Sequence, residues 1–251
     1  MNGRQNLKTS GGMHISGGEY GSVCVSGALK VEETLDCEEL HSSGAMKVVR
    51  DLRCAGKISA SGSVKVGGSI HSGAVSTSGA FAVGGDLICE SVLHSSGGLN
   101  CGGKLAAQEL KNSGVCRCEG EIHVGTLVTT GKLEAAEGVE AERFRSSGRV
   151  EIRGLLNAEE VEISLATGNR IGDIGGSRII VRNDCHGFSF TMPSLTVKSI
   201  EGDTVELEAT TAEVVRGRFV RIGRDCEIGR VEYTEDLTVE GGGTVREQVK
   251  V

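Results

Sequence analysis

Short apolar pairs, with one intervening residue between the two members, recur along most of this chain. In one copy the pairs are Leu29 with Val31 and Leu35 with Cys37, and a single inward residue, Leu40, follows them. Alternation at period two places both members of a pair on the same face of an extended strand. Each copy therefore predicts three short strands, separated by small or polar residues.

The copies repeat at a nearly fixed period, and each opens with a Ser-Gly or Thr-Gly step. The glycines of these steps are Gly27, Gly44, Gly62, Gly79, Gly97, Gly114, Gly131 and Gly148. A fixed period this short is typical of a solenoid, in which like residues stack over like in successive coils. A β-sandwich would explain the strand lengths but not the recurrence of one residue type in one column.

The sequence thus predicts an all-β fold, a parallel β-helix of about 14 coils of ~17 residues with three short strands per coil. Inward residues that come in pairs favour right-handed winding. The left-handed type is instead built from six-residue repeats with one aliphatic residue each, and fits this period less well.

The pattern changes along the chain and predicts three regions. Residues 1–12 are polar and predict a disordered tail, and residues 13–164 predict regular coils. From 165 to 251 the Ser-Gly step is lost, but alternating pairs continue, which predicts the same solenoid with altered corners. A series with a spacing of 17 runs through that region: Ile171, Phe188, Val205, Ile222 and Val239. The pattern leaves open whether residues 165–187 bend the solenoid or divide off a second subdomain.

Charge and hydropathy narrow the range of partners. The 251 residues include 34 acidic and 27 basic side chains, a net charge of -7, without a basic stripe, which argues against nucleic acid. No apolar run approaches the length of a membrane span, and the first residues lack the apolar core of a secretory signal. We therefore expect a cytoplasmic protein, and association with the inner face of the membrane is left open.

The nine cysteines predict buried free thiols rather than disulfides or a metal site. In other copies, Ser and Ala replace Cys in the same column, so the column selects a small buried side chain. Six cysteines fall on inward columns: Cys37, Cys54, Cys89, Cys101, Cys116 and Cys118. Reduced thiols agree with the expected cytoplasmic location.

No catalytic, cofactor-binding or metal-binding residues are predicted, and we do not expect an enzyme. The histidines His41, His71, His94 and His123 all fall on outward positions of the repeat. One enzyme class stays open as the alternative, because trimeric left-handed β-helix acyltransferases use a histidine between neighbouring subunits.

Neither end of the repeat pattern carries a predicted cap. Inward apolar positions begin at Met13 and Ile15, and at the other end they continue through Tyr233, Leu237 and Val239. An uncapped coil exposes an unpaired strand edge above an apolar core, which is a template for another chain. We therefore predict that these five residues form an interface for end-to-end self-assembly, with further copies of the chain as the partner.

The chain resembles the bactofilins, the polymer-forming cytoskeletal proteins of bacteria. The resemblance is carried by the Ser-Gly coils, by strands of the form G-x-[LVMF]-x-[VC] and by residues 228–251, IGRVEYTEDLTVEGGGTVREQVKV. It implies a right-handed β-helix that assembles end to end into non-polar filaments without nucleotide. It also implies a role as a scaffold for envelope, cell-shape or motility proteins. The chain is longer than the usual bactofilin core and has no evident membrane-targeting tail.

Overall fold

Parallel β-strands are the regular elements of the computed structural model, which describes residues 4–183 and 194–251. They stack into about 14 solenoid turns, and no helix occurs in those two ranges. The predicted fold class, an all-β parallel solenoid, is confirmed. The chain divides into two compact units, Met1–Val124 and Gly125–Val251.

The first unit contains fifteen strands and the start of a sixteenth. They are β1 (Leu7–Thr9), β2 (Gly12–Ile15), β3 (Gly18–Val25), β4 (Ala28–Val31), β5 (Leu35–Ser42), β6 (Ala45–Val48), β7 (Leu52–Ala60), β8 (Ser63–Val66), β9 (Ile70–Thr77), β10 (Ala80–Val83), β11 (Leu87–Cys89), β12 (Val92–Ser95), β13 (Gly98–Cys101), β14 (Leu105–Asn112), β15 (Val115–Cys118) and β16 (Ile122–Thr129).

The second unit begins within β16 and has fewer, longer strands. They are β17 (Lys132–Ala135), β18 (Val139–Ser146), β19 (Arg149–Ser164), β20 (Asn169–Arg182), β21 (Leu195–Leu207), β22 (Thr210–Ile222), β23 (Glu227–Val239) and β24 (Thr244–Lys250).

One coil of the first unit consists of a short strand, such as β4, and a longer strand bent near its middle, such as β5. Leu29 and Val31 of β4 point inward on what we call the first face. In β5, Leu35 and Cys37 point inward on the second face, and Leu40 and Ser42 do so on the third face. Two consecutive exposed residues separate these faces, because the chain turns a corner there and the alternation shifts by one residue.

Neighbouring coils pair in register, so each inward residue packs on its counterpart one coil away. On the first face Leu29 pairs with Met46 and Val31 with Val48, and all four side chains are buried. Parallel strands lie ~4.8 Å apart, so columns of mostly medium-sized aliphatic side chains fill the narrow interior, together with the fully buried rings of Phe81 and Phe144.

The glycines of the Ser-Gly steps are needed for space rather than for an unusual backbone angle. None of them has a positive φ in the described residues. At Gly44 the coils come so close that a Cβ atom would overlap the carbonyl oxygen of Gly27 and lie 2.6 Å from that of Ser26. The same backbone carbonyl of Gly27 accepts a hydrogen bond of 2.9 Å from the amide of Ala45, which fixes the close approach. These glycines are therefore required by the close approach of neighbouring coils and not by their backbone angles.

The third face has two inward positions, not the single position that the apolar pattern predicted. The second position is often a hydroxyl residue, which hides it in a search for apolar residues: Thr9, Ser42, Thr77, Ser95, Thr129 and Ser146 are all buried. Some of these hydroxyls donate to a corner carbonyl two residues further on, as Ser146 does to Gly148 at 3.3 Å. Such a bond satisfies the hydroxyl locally, whereas the buried hydroxyls of Ser42, Thr77 and Ser95 have no hydrogen-bond partner among the described residues.

In the second unit the corner between the first and second faces becomes shorter. Ile152 and Leu156 are separated by three residues, whereas Ile171 and Ile174, their partners in the next coil, are separated by two. From β20 to β23 each strand accordingly runs through all three faces without a break. The corners do change in the second unit, but strands already run on without a break from Arg149 in β19, before residue 165.

The prediction that residues spaced by 17 follow one another in one column is wrong for most of the series. Ile171 pairs with Val197, a longer step along the chain than the series predicts, and Val205 pairs with Val220, a shorter one. Ile222 and Val239 do share a column, as expected. Phe188 and part of the predicted bend at 165–187 lie outside the described residues.

The solenoid begins earlier than the sequence predicted. Leu7–Thr9 form β1, which pairs in parallel with residues 23–25 of β3, and the hydroxyl of Thr9 is buried with an exposed fraction of 5% for the residue. The prediction of a disordered tail over 1–12 is therefore wrong from residue 7 onward. The first three residues lie outside the described range.

Candidate functional site

The first coil leaves its inward residues partly open. β2 pairs on one side with β4, so that Met13 lies beside Leu29 and Ile15 beside Val31. Leu29 and Val31 are 2% and 0% exposed, whereas Met13 and Ile15 are only half-buried. The difference arises because no strand of the described residues covers β2 on its other side.

The last coil is open on its third face. There Leu237 pairs with Val220 and Val239 with Ile222. Val220 and Ile222 are 3% and 0% exposed, whereas Val239 is 37% exposed and Leu237 is half-buried. Both coils carry apolar residues at these two positions. They differ only in the covering strand, which the last coil lacks in the described residues.

Tyr233 lies one strand inside the edge rather than on it. It pairs with Lys250 of β24, and the Lys250 ammonium lies 5.9 Å from the centre of its ring. Its carbonyl oxygen accepts a hydrogen bond of 2.9 Å from the amide of Val251. The structure thus places Met13 and Ile15 at one open coil and Leu237 and Val239 at the other, with Tyr233 beneath β24.

Sequence reasoning missed β1 as part of the first open coil. Leu7 and Thr9 are paired with Val23 and Val25, a spacing of 16 that is one residue shorter than the 17 between Val23 and Leu40 in the same column. This near-match was the available signal, but a threonine at the second position does not register as an apolar pair.

The two open coils carry opposite charges on their third faces. Next to β1 the exposed cations are Arg4, which lies 3.2 Å from Glu19, and Lys8. In β23 the exposed residues Glu235 and Asp236 are anionic. Neither Lys8 nor Asp236 has an ion pair within residues 4–183 and 194–251.

The histidines lie on the surface, and several pair with a glutamate. The Nε2–carboxylate distances are 2.6 Å for His14 with Glu32 and 3.1 Å for His71 with Glu90. His123 lies 2.8 Å from Glu121 and lowers the pKa of that carboxyl through their hydrogen bond. These are arrangements of a solvated surface and do not favour the acyltransferase alternative.

A shallow groove follows the third face of the first unit and has a volume of about 360 Å³. Serine hydroxyls line it together with two imidazoles, His41 and His94. Ser59 and Ser76 occupy the coils between the two histidines. At ~4.8 Å per coil the imidazoles are roughly 14 Å apart, too far to act on one atom together.

A second groove, of about 660 Å³, lies on the second unit. Its charged side chains are largely engaged with each other, as in the pair Arg216–Glu232 at 2.8 Å. Arg216 lowers the pKa of Glu232 by this hydrogen bond. Such pairs stabilise the wall of a groove but offer no free charge to a ligand.

The cysteines within the described residues are free thiols, as predicted. Of the eight in the described residues, seven are buried and Cys24 is half-buried. Burial raises the pKa of Cys116 to about 12 and that of Cys226 to about 11, so both thiols stay protonated. Among the described residues no group of three or more His, Cys, Asp or Glu side chains is arranged to hold a metal ion.

The fold and the ends define the class, a β-solenoid repeat protein whose first and last coils are open in the described residues. None of those residues forms a helix long and apolar enough to cross a bilayer. No family model matches the chain, and no solved structure matches it.

Two proteins of Bacillus subtilis (strain 168) are similar to part of the chain. Uncharacterized protein YhbF is 37% identical over 99 residues, which are 39% of this chain and 42% of YhbF. Uncharacterized protein YhbE is 39% identical over 107 residues, which are 40% of this chain and 44% of YhbE. The matched stretch spans less than half the length of either relative.

Proposed function

We propose that this protein is a structural polymer, a bactofilin-like scaffold whose copies join end to end into filaments without nucleotide. One observation carries the proposal: the inward residues Met13, Ile15, Leu237 and Val239 lose their cover in the terminal coils, although their counterparts one coil further in are buried. A second copy would supply the missing cover with the same contacts that join coils within the chain.

The magnitudes explain why strand pairing and apolar contact must act together. Full burial of one such aliphatic side chain contributes ~1.5–3 kcal/mol. Association costs ~4–15 kcal/mol in lost freedom of motion, so the few apolar side chains at one junction only just offset that cost. Backbone hydrogen bonds along the open strand edges supply the remainder and fix the register.

The cellular role follows from the resemblance to bactofilins. We infer a scaffold in the bacterial cytoplasm, at the inner face of the membrane or free of it, that supports cell-shape, envelope or motility proteins. The seven buried free thiols support a reducing compartment. The polymer itself needs neither a cofactor nor a catalytic residue.

Negative-stain electron microscopy of the purified protein without nucleotide tests the proposal, and filaments are the expected result. Leu237→Lys should disperse them and leave the circular dichroism unchanged, because a charge then lies on the open face of the last coil. Ile88→Lys is the matched control, since Ile88 is a similarly exposed apolar residue, 39% accessible, on the side of the solenoid. Monodisperse monomers of the unmodified protein at all concentrations and salt conditions would overturn the proposal.

A further inference from the structure

Two cysteines stack directly on each other in neighbouring coils of the first unit. Cys101 of β13 pairs in register with Cys118 of β15, and both lie at the second inward position of the first face. They are free thiols, and each is 2% exposed. At the first inward position of the same strands, Cys116 pairs instead with Leu99. The stacked pair therefore offers a chemistry that a thiol among aliphatic side chains does not.

The two sulfur atoms lie within reach of each other. Both are close to one backbone atom, the carbonyl oxygen of Gly103, which is 3.4 Å from the Sγ of Cys101 and 3.2 Å from that of Cys118. Residues in register on parallel strands have Cα atoms ~4.8 Å apart, and a disulfide spans Cα distances of roughly 4.4–6.8 Å. The pair therefore meets the distance condition for a disulfide without a change of register.

A hydrogen bond between the two thiols gives them different acidities. It lowers the pKa of Cys101, whose thiolate it stabilises, and it raises the pKa of Cys118, which donates the proton. The thiolate is the form of cysteine that attacks an oxidant. Cys101 is thus the thiol that reacts first, and Cys118 is held beside it to complete a disulfide.

The stacked thiols lie behind a corner of the solenoid that is built from glycines. After Cys101 the chain turns at residues 102–103, and the preceding coil, in which Val83 pairs with Cys101, turns at residues 84–85. The Sγ of Cys101 is 3.5 Å from the carbonyl oxygen of Gly85 at this corner. Since glycines carry no side chain, a small displacement of the corner admits a molecule the size of hydrogen peroxide. Cys116 is fully buried among aliphatic residues and has no such route.

We propose that Cys101 and Cys118 form a dithiol site that hydroperoxides oxidise to a disulfide, which ties two successive coils together. The Cys101 thiolate attacks one oxygen of hydrogen peroxide or an alkyl hydroperoxide, and the O–O bond breaks. Cys101 becomes a sulfenic acid, and the leaving oxygen takes up the proton that Cys101 released, forming water or an alcohol. The Cys118 sulfur then attacks that of Cys101, and the S–O bond breaks as the S–S bond forms. The hydroxyl leaves as water with the proton of Cys118, so two thiols are oxidised for each hydroperoxide reduced.

A small mismatch in geometry makes this disulfide easy to reduce. Inward Cβ atoms in register are also about 4.8 Å apart, slightly more than the roughly 3.5–4.5 Å of a relaxed disulfide. The bond must therefore draw the two coils together locally, and a strained disulfide is reduced more readily than a relaxed one. Oxidation at this site is thus reversible by a small thiol such as glutathione.

A second pair of cysteines repeats the arrangement on the second face. Cys37 of β5 pairs in register with Cys54 of β7, and both are buried. Their hydrogen bond lowers the pKa of Cys54 and raises that of Cys37, so Cys54 is the attacking thiol of this pair. Each pair lies within one copy of the chain. The inference is therefore independent of the proposed polymer.

Mass spectrometry of the complete, folded protein tests the proposal. The reduced protein is treated with hydrogen peroxide, the peroxide is removed, and remaining thiols are alkylated in denaturant before digestion. We expect a cross-linked peptide of Cys101 and Cys118, lighter by two hydrogen atoms than its reduced parts, while Cys116 is recovered alkylated. Incubation of the oxidised protein with glutathione should remove the cross-link.

Two variants separate the stacked pair from cysteines in general. In Cys118→Ala the sulfenic acid of Cys101 has no partner and should accumulate, so that dimedone traps it. Alanine suits this column, since Ala135 holds the equivalent inward position of β17, and circular dichroism verifies the fold. Cys89→Ala is the matched control, because it removes a buried thiol that pairs with Ser72 and should leave the cross-link intact.

Two results would overturn the proposal. One is recovery of both Cys101 and Cys118 as alkylated thiols at a peroxide concentration that oxidises the thiols of the same protein in denaturant. The other is a set of cross-links in which Cys116 appears as often as Cys118, because such mixed pairing arises in unfolded chains. Loss of the cross-link in Cys89→Ala would likewise assign it to a route other than the stacked pair.

Discussion

Leu237 and Val220 pair in register on the third face of neighbouring coils, yet Val220 is 3% exposed while Leu237 is only half-buried. The two side chains are of similar character and occupy equivalent positions of the repeat. Their difference in burial therefore comes from the covering coil, which Val220 has and Leu237 lacks in the described residues. In a solenoid the burial of an inward residue, and hence its contribution to stability, depends on the coils on both sides of it.

Truncation of equivalent leucines should show this dependence. Leu110 is fully buried at the same third-face position of an internal coil, and Leu110→Ala should lower the free energy of unfolding by ~2–5 kcal/mol. Leu237→Ala should cost less than ~1 kcal/mol in dilute monomer, because its side chain is partly hydrated before the change. Urea titrations of both variants measure the two losses. Equal losses would mean that Leu237 is covered within the monomer.

Two adjacent glycines provide a matched test of the close approach at the corners. A Cβ at Gly97 would lie 2.6 Å from the carbonyl carbon of Ser78, whereas a Cβ at Gly98 meets nothing within 4 Å. Gly97→Ala should therefore destabilise the protein by ~1–3 kcal/mol through overlap with the backbone. Gly98→Ala should be neutral or stabilising by up to about 0.5 kcal/mol, since alanine lowers the entropy of the unfolded chain. Thermal melting compares them directly, and similar melting temperatures would contradict a steric role for Gly97.

The period of the sequence was sufficient to predict the fold because stacking places one residue type in one column. The Ser-Gly steps and pairs such as Leu29 with Val31 set the strands, the register and the inward faces of the regular coils. Exact register in the second unit could not be derived from a constant period. The step from Ile171 to Val197 is longer than the regular period and the step from Val205 to Val220 is shorter, so a series of constant spacing passes from one column into another.

The sequence also could not predict why each glycine is needed, and it did not predict the first strand. A glycine that avoids a clash with Gly27 and one that permits a positive φ look the same in the chain, and only the distance between coils distinguishes them. β1 was not predicted because its inward residue Thr9 is polar and does not form an apolar pair. Of the candidate site, the four terminal apolar residues were predicted as inward-facing, while the identity of the open face at each end required the strand pairings.

A single substitution in one column of like charges should increase the stability of the protein. Lys47 lies in register between Lys30 and Lys65 on the first face, and neither Lys47 nor Lys65 has an ion pair in the described residues. Like charges directly opposite each other destabilise a sheet, so Lys47→Glu should raise the free energy of unfolding by about 0.5 kcal/mol. The gain should shrink at high salt, because exposed charges are screened.

Lys57→Glu is the control for that change, since it alters the net charge equally while Lys57 pairs with Ala74. Thermal melting at low and high ionic strength measures both variants. A Lys57→Glu gain as large as that of Lys47→Glu would assign the effect to net charge instead of to the stacked lysines.

The buried thiol of Cys116 should make the fold sensitive to alkaline pH. Burial raises its pKa from the ordinary value of 9.0 to about 12, so between these values the unfolded chain loses the proton while the folded chain keeps it. Ionisation then favours the unfolded state, and stability falls as the pH rises from 9 toward 12. At about pH 10.5 this group alone accounts for a loss on the order of 2 kcal/mol.

Cys116→Val removes the titrating group and keeps an apolar side chain beside Leu99, its partner in the neighbouring coil. The melting temperature of this variant should fall less between about pH 8 and about pH 10.5 than that of the unmodified protein. Cys24→Val, at a half-buried thiol that water can reach, should instead follow the unmodified protein closely. If Cys116→Val lost as much stability over this range as the unmodified protein, the alkaline sensitivity would have to arise from other groups. Burial also raises the pKa of Cys226, to about 11. The double variant with Cys226→Val should therefore show a still smaller fall in melting temperature.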